Sequence, residues 1–99
     1  MIAFVRVVSV KPGKTAAAMA FAKDIAAYIK TVYGVDLEVL RPIGGNPQRV
    51  AWSGRYANLA DFEAFNGKLL GDAKYWEKVN TAAEHFVAGS FFDSIWQTV

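Results

Sequence analysis

The chain carries one histidine, His85, so one side chain has an ordinary pKa near neutrality. It carries no cysteine, which removes disulfides, thiolate metal sites and cysteine nucleophiles together. A metal site would need several carboxylates, and Asp61 and Glu63, two apart on a helix, point to different sides. No metal and no cofactor are expected. Ser53-Gly54 and Gly89-Ser90 lack the strand–elbow–helix setting of a nucleophilic serine, and Gly44-Gly45 has no helix after it to cradle a phosphate. The charge that invites chemistry is Arg6, in mid-strand between Val5 and Val7. Burying it unpaired would be costly, so it is either ion-paired or aimed at an anionic ligand. The ion pair is the simpler reading, with Glu38, Asp93 and Glu63 as candidate partners. Arg55 poses the same question near a strand end, where water can reach it.

Trp52, Tyr56, Tyr75 and Trp76 supply large aromatic surface. Aromatics at helical and strand spacing serve first as core. With Arg6 they could also line a cavity for a flat phenolic or polyketide-like molecule, held through Arg6, Tyr75 or the Trp76 indole. His85 is a weaker candidate for such a site. Helical register places it with Lys74, Lys78 and Thr81, away from Val79 and Phe86, as an ordinary surface histidine.

These residues need elements to hold them. Ile2–Val10 is rich in β-branched residues and stops at Lys11-Pro12-Gly13-Lys14, which reads as a strand and a turn. Ala18, Ala22, Ile25, Ile29 and Val32 then recur at helical spacing, and Gly34 ends the helix. Val35–Arg41 alternates as a strand with one wet face. Pro42–Pro47 is a hairpin-like loop, and Arg49–Tyr56 returns as a strand. Asn58 looks like an N-cap for a helix striped by Leu59, Phe62, Phe65 and Leu69. Gly71-Asp72 breaks it, and a second helical stretch sets Tyr75, Val79, Ala82 and Phe86 on one side. Phe91–Val99 closes the chain as a strand.

The order β-α-β-β-α-β predicts an α+β, ferredoxin-like fold in one domain, residues 1–99. Two helices, the second broken near Gly71, would cover one face of a four-stranded antiparallel sheet. The other face would stay apolar. Phe4 and Val8 share one side of the first strand and Val5 and Val7 the other; Phe92 and Trp96 oppose Phe91 and Ile95 in the last. An exposed patch of that size marks an interface, so a homodimer packed sheet to sheet is expected.

Composition agrees. Hydrophobic residues are 54% of 99 and charged residues 20%, against about 45–50% and 25% in ordinary domains. Eleven Lys and Arg against nine Asp and Glu leave a net charge of +2. The lysines are interleaved with acids, which argues against nucleic acid. No apolar run reaches the roughly 20 residues of a membrane span, so a cytoplasmic protein is expected.

Arg6-Val7-Val8-Ser9-Val10-Lys11-Pro12-Gly13-Lys14 resembles the first strand and turn of NIPSNAP-like proteins. Arg55-Tyr56, Asp61-Phe62, Asp72–Trp76 and Phe86–Ser90 look like their strand, broken helix and approach to the last strand. That group sits in the dimeric α/β-barrel superfamily with cofactor-free antibiotic-biosynthesis monooxygenases. The resemblance implies a dimer with any ligand pocket between each sheet and its own helices. It implies a small-molecule-binding or accessory protein, or alternatively a cofactor-independent monooxygenase acting on an aromatic substrate.

Overall fold

The computed structural model describes residues 1–99. Strand β1 (Ile2–Ser9) leads through Lys11–Lys14 into helix α1 (Thr15–Tyr33). Strands β2 (Leu37–Leu40) and β3 (Arg49–Tyr56) follow, then helices α2 (Leu59–Leu70) and α3 (Ala73–Ala82), a 3-10 turn (Ala83–His85) and strand β4 (Phe92–Gln97). The sheet is antiparallel with order β2-β3-β1-β4, the ferredoxin-like arrangement expected from the element order. No helix is long and apolar enough to cross a membrane.

Local chemistry sets the element ends. Gly34 takes a left-handed conformation (φ 69°) and its N–H returns to the Lys30 carbonyl, a turn closed at low cost because glycine has no Cβ. The Asn58 side chain accepts from the Asp61 N–H and starts α2. At Gly71-Asp72 the chain stops one helix and starts another, because Asp72 Oδ1 accepts from the N–H groups of Lys74 and Tyr75. The broken helix therefore becomes two helices plus a 3-10 turn. Phe86 departs from the helical register given it by sequence. It is extended (φ −118°, ψ 152°), bridges to Val10, and stays buried. The end strands are shorter than their apolar runs, β2 beginning at Leu37 and β4 ending at Gln97.

The pairing fixes the faces. Opposite residues share a side, so Phe4, Arg6, Val8, Val50, Trp52, Tyr56 and Val39 face the helices. Val8, Val50, Ala18, Ala22, Ala82 and Phe86 form one buried cluster. Ile25, Ile29, Leu69 and Tyr75 form a second. The reverse face carries Val5, Val7, Ala51, Leu40, Phe92 and Trp96. Phe92 is 69% exposed and Trp96 66%. Strand β4 is an edge; Ile95 on its helix side and Phe91, just before the strand, are about half exposed as well.

Candidate functional site

Between the sheet and its own helices lies a cavity of about 520 Å³, within the roughly 300–1,000 Å³ of small-molecule sites. Its floor is the helix-facing side of β1 and β3: Phe4 and Arg6, Trp52 and Tyr56. Helix α1 adds Phe21, Ile25 and Ile29; α2 adds Phe62, Phe65, Asn66 and Leu69; α3 adds Tyr75, Trp76 and Val79. The only lining residues outside the hydrophobic types are Arg6, Lys11 and Asn66.

All five candidates from the sequence, Arg6, Trp52, Tyr56, Tyr75 and Trp76, meet at this cavity. His85 does not. It sits half-buried in the 3-10 turn, its ring 6.4 Å from that of Phe86, beside a separate groove with Asp24, Lys74 and Lys78. Its Nδ1 is buried without a hydrogen-bond partner. The register that groups His85 with Lys74, Lys78 and Thr81 holds, since all four line this groove; the ring is half-buried there although the helix itself ends at Ala82.

Arg6 is ion-paired, and β-sheet register chose its partner. β1 and β4 place Arg6 directly opposite Asp93, and Nε and Nη2 donate to Oδ1 and Oδ2 at 2.8 and 2.9 Å. The pair is only partly buried, with side chains 37% and 41% exposed. The guanidinium carbon also lies 5.7 Å from the Phe4 ring centre and 5.6 Å from that of Phe91. The bonds to Asp93 raise the Arg6 pKa against the opposing cost of burial, with a smaller contribution from neighbouring Tyr75. Burial pushes the phenols of Tyr56 and Tyr75 up, so both remain protonated donors at neutral pH; Arg6 partly opposes the shift at Tyr75.

Neither indole is free. Trp52 Nε1 donates to the Ala22 carbonyl at 3.1 Å and Trp76 Nε1 to that of Leu70 at 2.9 Å. The Trp76 indole expected as a ligand donor instead ties α3 back to the end of α2. The aromatic wall is interlocked: Phe4 stacks on Phe62 at 4.8 Å, and Tyr56 meets Phe62 edge-on at 5.1 Å and stacks on Phe65 at 5.9 Å. Gly54 makes room for this wall. A Cβ there would lie 2.8 Å from Leu37 Cδ2 and 3.1 Å from the Tyr56 hydroxyl.

Two contributors escaped the sequence reading. Asp72 reads there as a helix break, but its Oδ2 also accepts from Tyr28 at 2.7 Å and Tyr33 at 2.6 Å. These phenols, reinforced by the N–H groups of Tyr75 and Lys74, hold the Asp72 carboxyl down at about 2; the same contact pushes Tyr33 up to about 12. One carboxylate thus caps α3 and fastens it to α1, fixing Tyr75 and Trp76 over the cavity. An aspartate after a glycine between two apolar stripes is an N-cap signal and could have been read as such. Phe62 and Phe65, read from spacing as a helix stripe, and Phe4, read as one side of the first strand, are the other addition.

The fold and this cavity together define a ferredoxin-like domain with an apolar chamber between sheet and helices. Solved structures of that class are similar over the full chain. A NIPSNAP domain protein from Burkholderia xenovorans superposes with TM-score 0.84 at 15% identity, covering 100% of this chain and 95% of its own. A NIPSNAP family protein from Agrobacterium tumefaciens gives 0.81 at 16%, covering 99% and 87%. A candidate antibiotic biosynthesis monooxygenase from Nitrosomonas europaea gives 0.74 at 20%, covering 100% and 99%. The chain has the fold of the NIPSNAP and antibiotic biosynthesis monooxygenase proteins, as its β1 and helix motifs imply. No family model matches the sequence, and no curated protein matches it.

Proposed function

We propose that this chain binds a small, flat, largely apolar molecule in the cavity between its sheet and helices, and that it does so as a homodimer joined through the uncovered sheet face. The observation that carries the reading is the cavity itself. A fold of this size closes its core by default, yet about 520 Å³ stays unfilled beside an interlocked aromatic wall and an arginine. The wall offers ring faces for stacking and few polar groups, which suits fused rings. The dimer is supported by Val5, Val7, Phe92 and Trp96, an apolar stripe that a second sheet would cover.

Isothermal titration with 2-acetylnaphthalene tests the binding. One molecule should bind per chain, and Ala83→Trp, which places bulk into the cavity from an exposed lining position, should abolish binding without lowering the melting temperature. Binding left intact in that variant would refute the location.

The second reading is a cofactor-independent monooxygenase acting on an aromatic substrate. It is favoured by the Nitrosomonas neighbour of the same fold and by the open chamber. With both indoles spent, its donors reduce to Arg6 and the hydroxyls of Tyr56 and Tyr75. Oxygen uptake above the uncatalysed rate with a polycyclic hydroquinone would favour it over binding alone.

A further inference from the structure

The charge balance at the cavity narrows the ligand class, an inference that rests on the binding reading above. Arginine has five N–H donors. Asp93 takes Nε and one hydrogen of Nη2, leaving both hydrogens of Nη1 and one of Nη2. Arg6 lines the cavity and Asp93 does not, so the counter-ion sits beside the chamber and not within it. The guanidinium is flanked by Phe4 and Phe91 and stands beside Tyr75. Donors are therefore available at a point whose net charge is already zero.

We infer that the cavity selects an uncharged aromatic ketone or quinone, whose carbonyl oxygen accepts from Arg6, over the matching carboxylate. A carboxylate would surrender its hydration on entering a largely apolar chamber. It would then share one guanidinium with Asp93, two anions against one cation. A ketone oxygen gives up far less water, accepts the same N–H groups, and brings no charge toward Asp93. Lys11, the other charged lining residue, is exposed, so its charge is solvated and screened. Asn66 and the tyrosines are neutral and can serve a carbonyl as well as an anion.

The experiment is a matched pair at pH 7: 2-acetylnaphthalene and 2-naphthoate, each titrated calorimetrically into wild type and into Asp93→Asn. Wild type should bind the ketone about tenfold or more tightly than the carboxylate. Asp93→Asn leaves the guanidinium charge uncompensated and should shift the ratio toward the carboxylate by about tenfold. The wild-type comparison decides the sign without any substitution, so a poorly folding variant does not rescue the idea. A wild-type preference for naphthoate overturns the inference while leaving a binding cavity. A ratio unmoved in folded Asp93→Asn removes Asp93 as its cause. Binding of neither probe overturns the cavity reading itself.

Discussion

Replacing Arg6 by methionine keeps an unbranched stem on β1 and removes the guanidinium. The cost follows from how exposed the ion pair is. Were Arg6 and Asp93 fully buried, stranding one partner would cost about 3–5 kcal/mol. Their side chains are instead 37% and 41% exposed, so water solvates the aspartate left behind. An exposed pair contributes about 0.2–1 kcal/mol, and the two-point geometry at 2.8 and 2.9 Å places this one near the top of that range. Contacts of the cation with the Phe4 and Phe91 rings add about 0.5 kcal/mol each, partly replaced by methionine packing. The expected loss is about 1–2 kcal/mol, which in a domain of this size lowers the melting temperature by roughly 5–15 °C. Urea unfolding followed by circular dichroism, at one fixed protomer concentration, measures it. A double-mutant cycle with Asp93→Asn isolates the pair, and its coupling should shrink in 1 M salt, where charges are screened within about 3 Å. A coupling above about 3 kcal/mol would show that the pair is sealed from water. A coupling of zero would show that β-sheet register alone holds β4.

Four further outcomes are expected. Asp72 has its pKa depressed in the folded chain, so its stabilising contribution is present above its ordinary 3.8 and is lost as pH falls through about 2. Asp72→Asn should flatten that acid limb. Tyr33 has the opposite sign: its contribution is full below pH 10 and lost as pH rises through about 12, and Tyr33→Phe should remove that loss from an alkaline unfolding series. Gly54→Ala should destabilise by about 1–2 kcal/mol, the overpacking against Leu37 and Tyr56 exceeding the gain from replacing a strand glycine. It should also weaken 2-acetylnaphthalene binding, since Tyr56 must move; a stabilised variant with unchanged binding would contradict the tight fit. Trp96→Glu on the uncovered face should convert a dimer to a monomer in analytical ultracentrifugation, while a wild-type monomer at micromolar concentration would refute the sheet-to-sheet assembly.

Much of the scaffold is local chemistry, and local chemistry is visible in a string of residues. The 3.6 period of Ala18, Ala22, Ile25 and Ile29 needs only neighbours on one helix, and all four are buried in α1. Gly34 and Asn58 act within a few residues of themselves, so their turn and cap are readable in advance. The alternation of Phe4, Arg6 and Val8 against Val5 and Val7 follows from the strand's two-residue period, and it already groups Arg6 with the aromatic side. Such groupings are why five candidate residues from three separate elements meet at one cavity.

The folded chain decided what depends on distance in sequence. Three acids competed as partners for Arg6, and only the β1–β4 register put Asp93, 87 residues away, opposite it. Whether that pair is sealed or wet depends on β4 being an edge, which no local pattern encodes. Asp72 reads locally as a break, but its bonds to Tyr28 and Tyr33 span 44 and 39 residues and exist only once α1 packs beside α3. His85 keeps the company its helical register gives, Lys74, Lys78 and Thr81, but that its Nδ1 is buried without a partner shows only in the fold. The sequence by itself determined the elements, their order and which side chains share a face, since each rests on contacts within a few residues. The tertiary structure alone decided that Arg6 is already neutralised and that the space among the aromatics is left unfilled, because both are sums over elements that meet only in the fold.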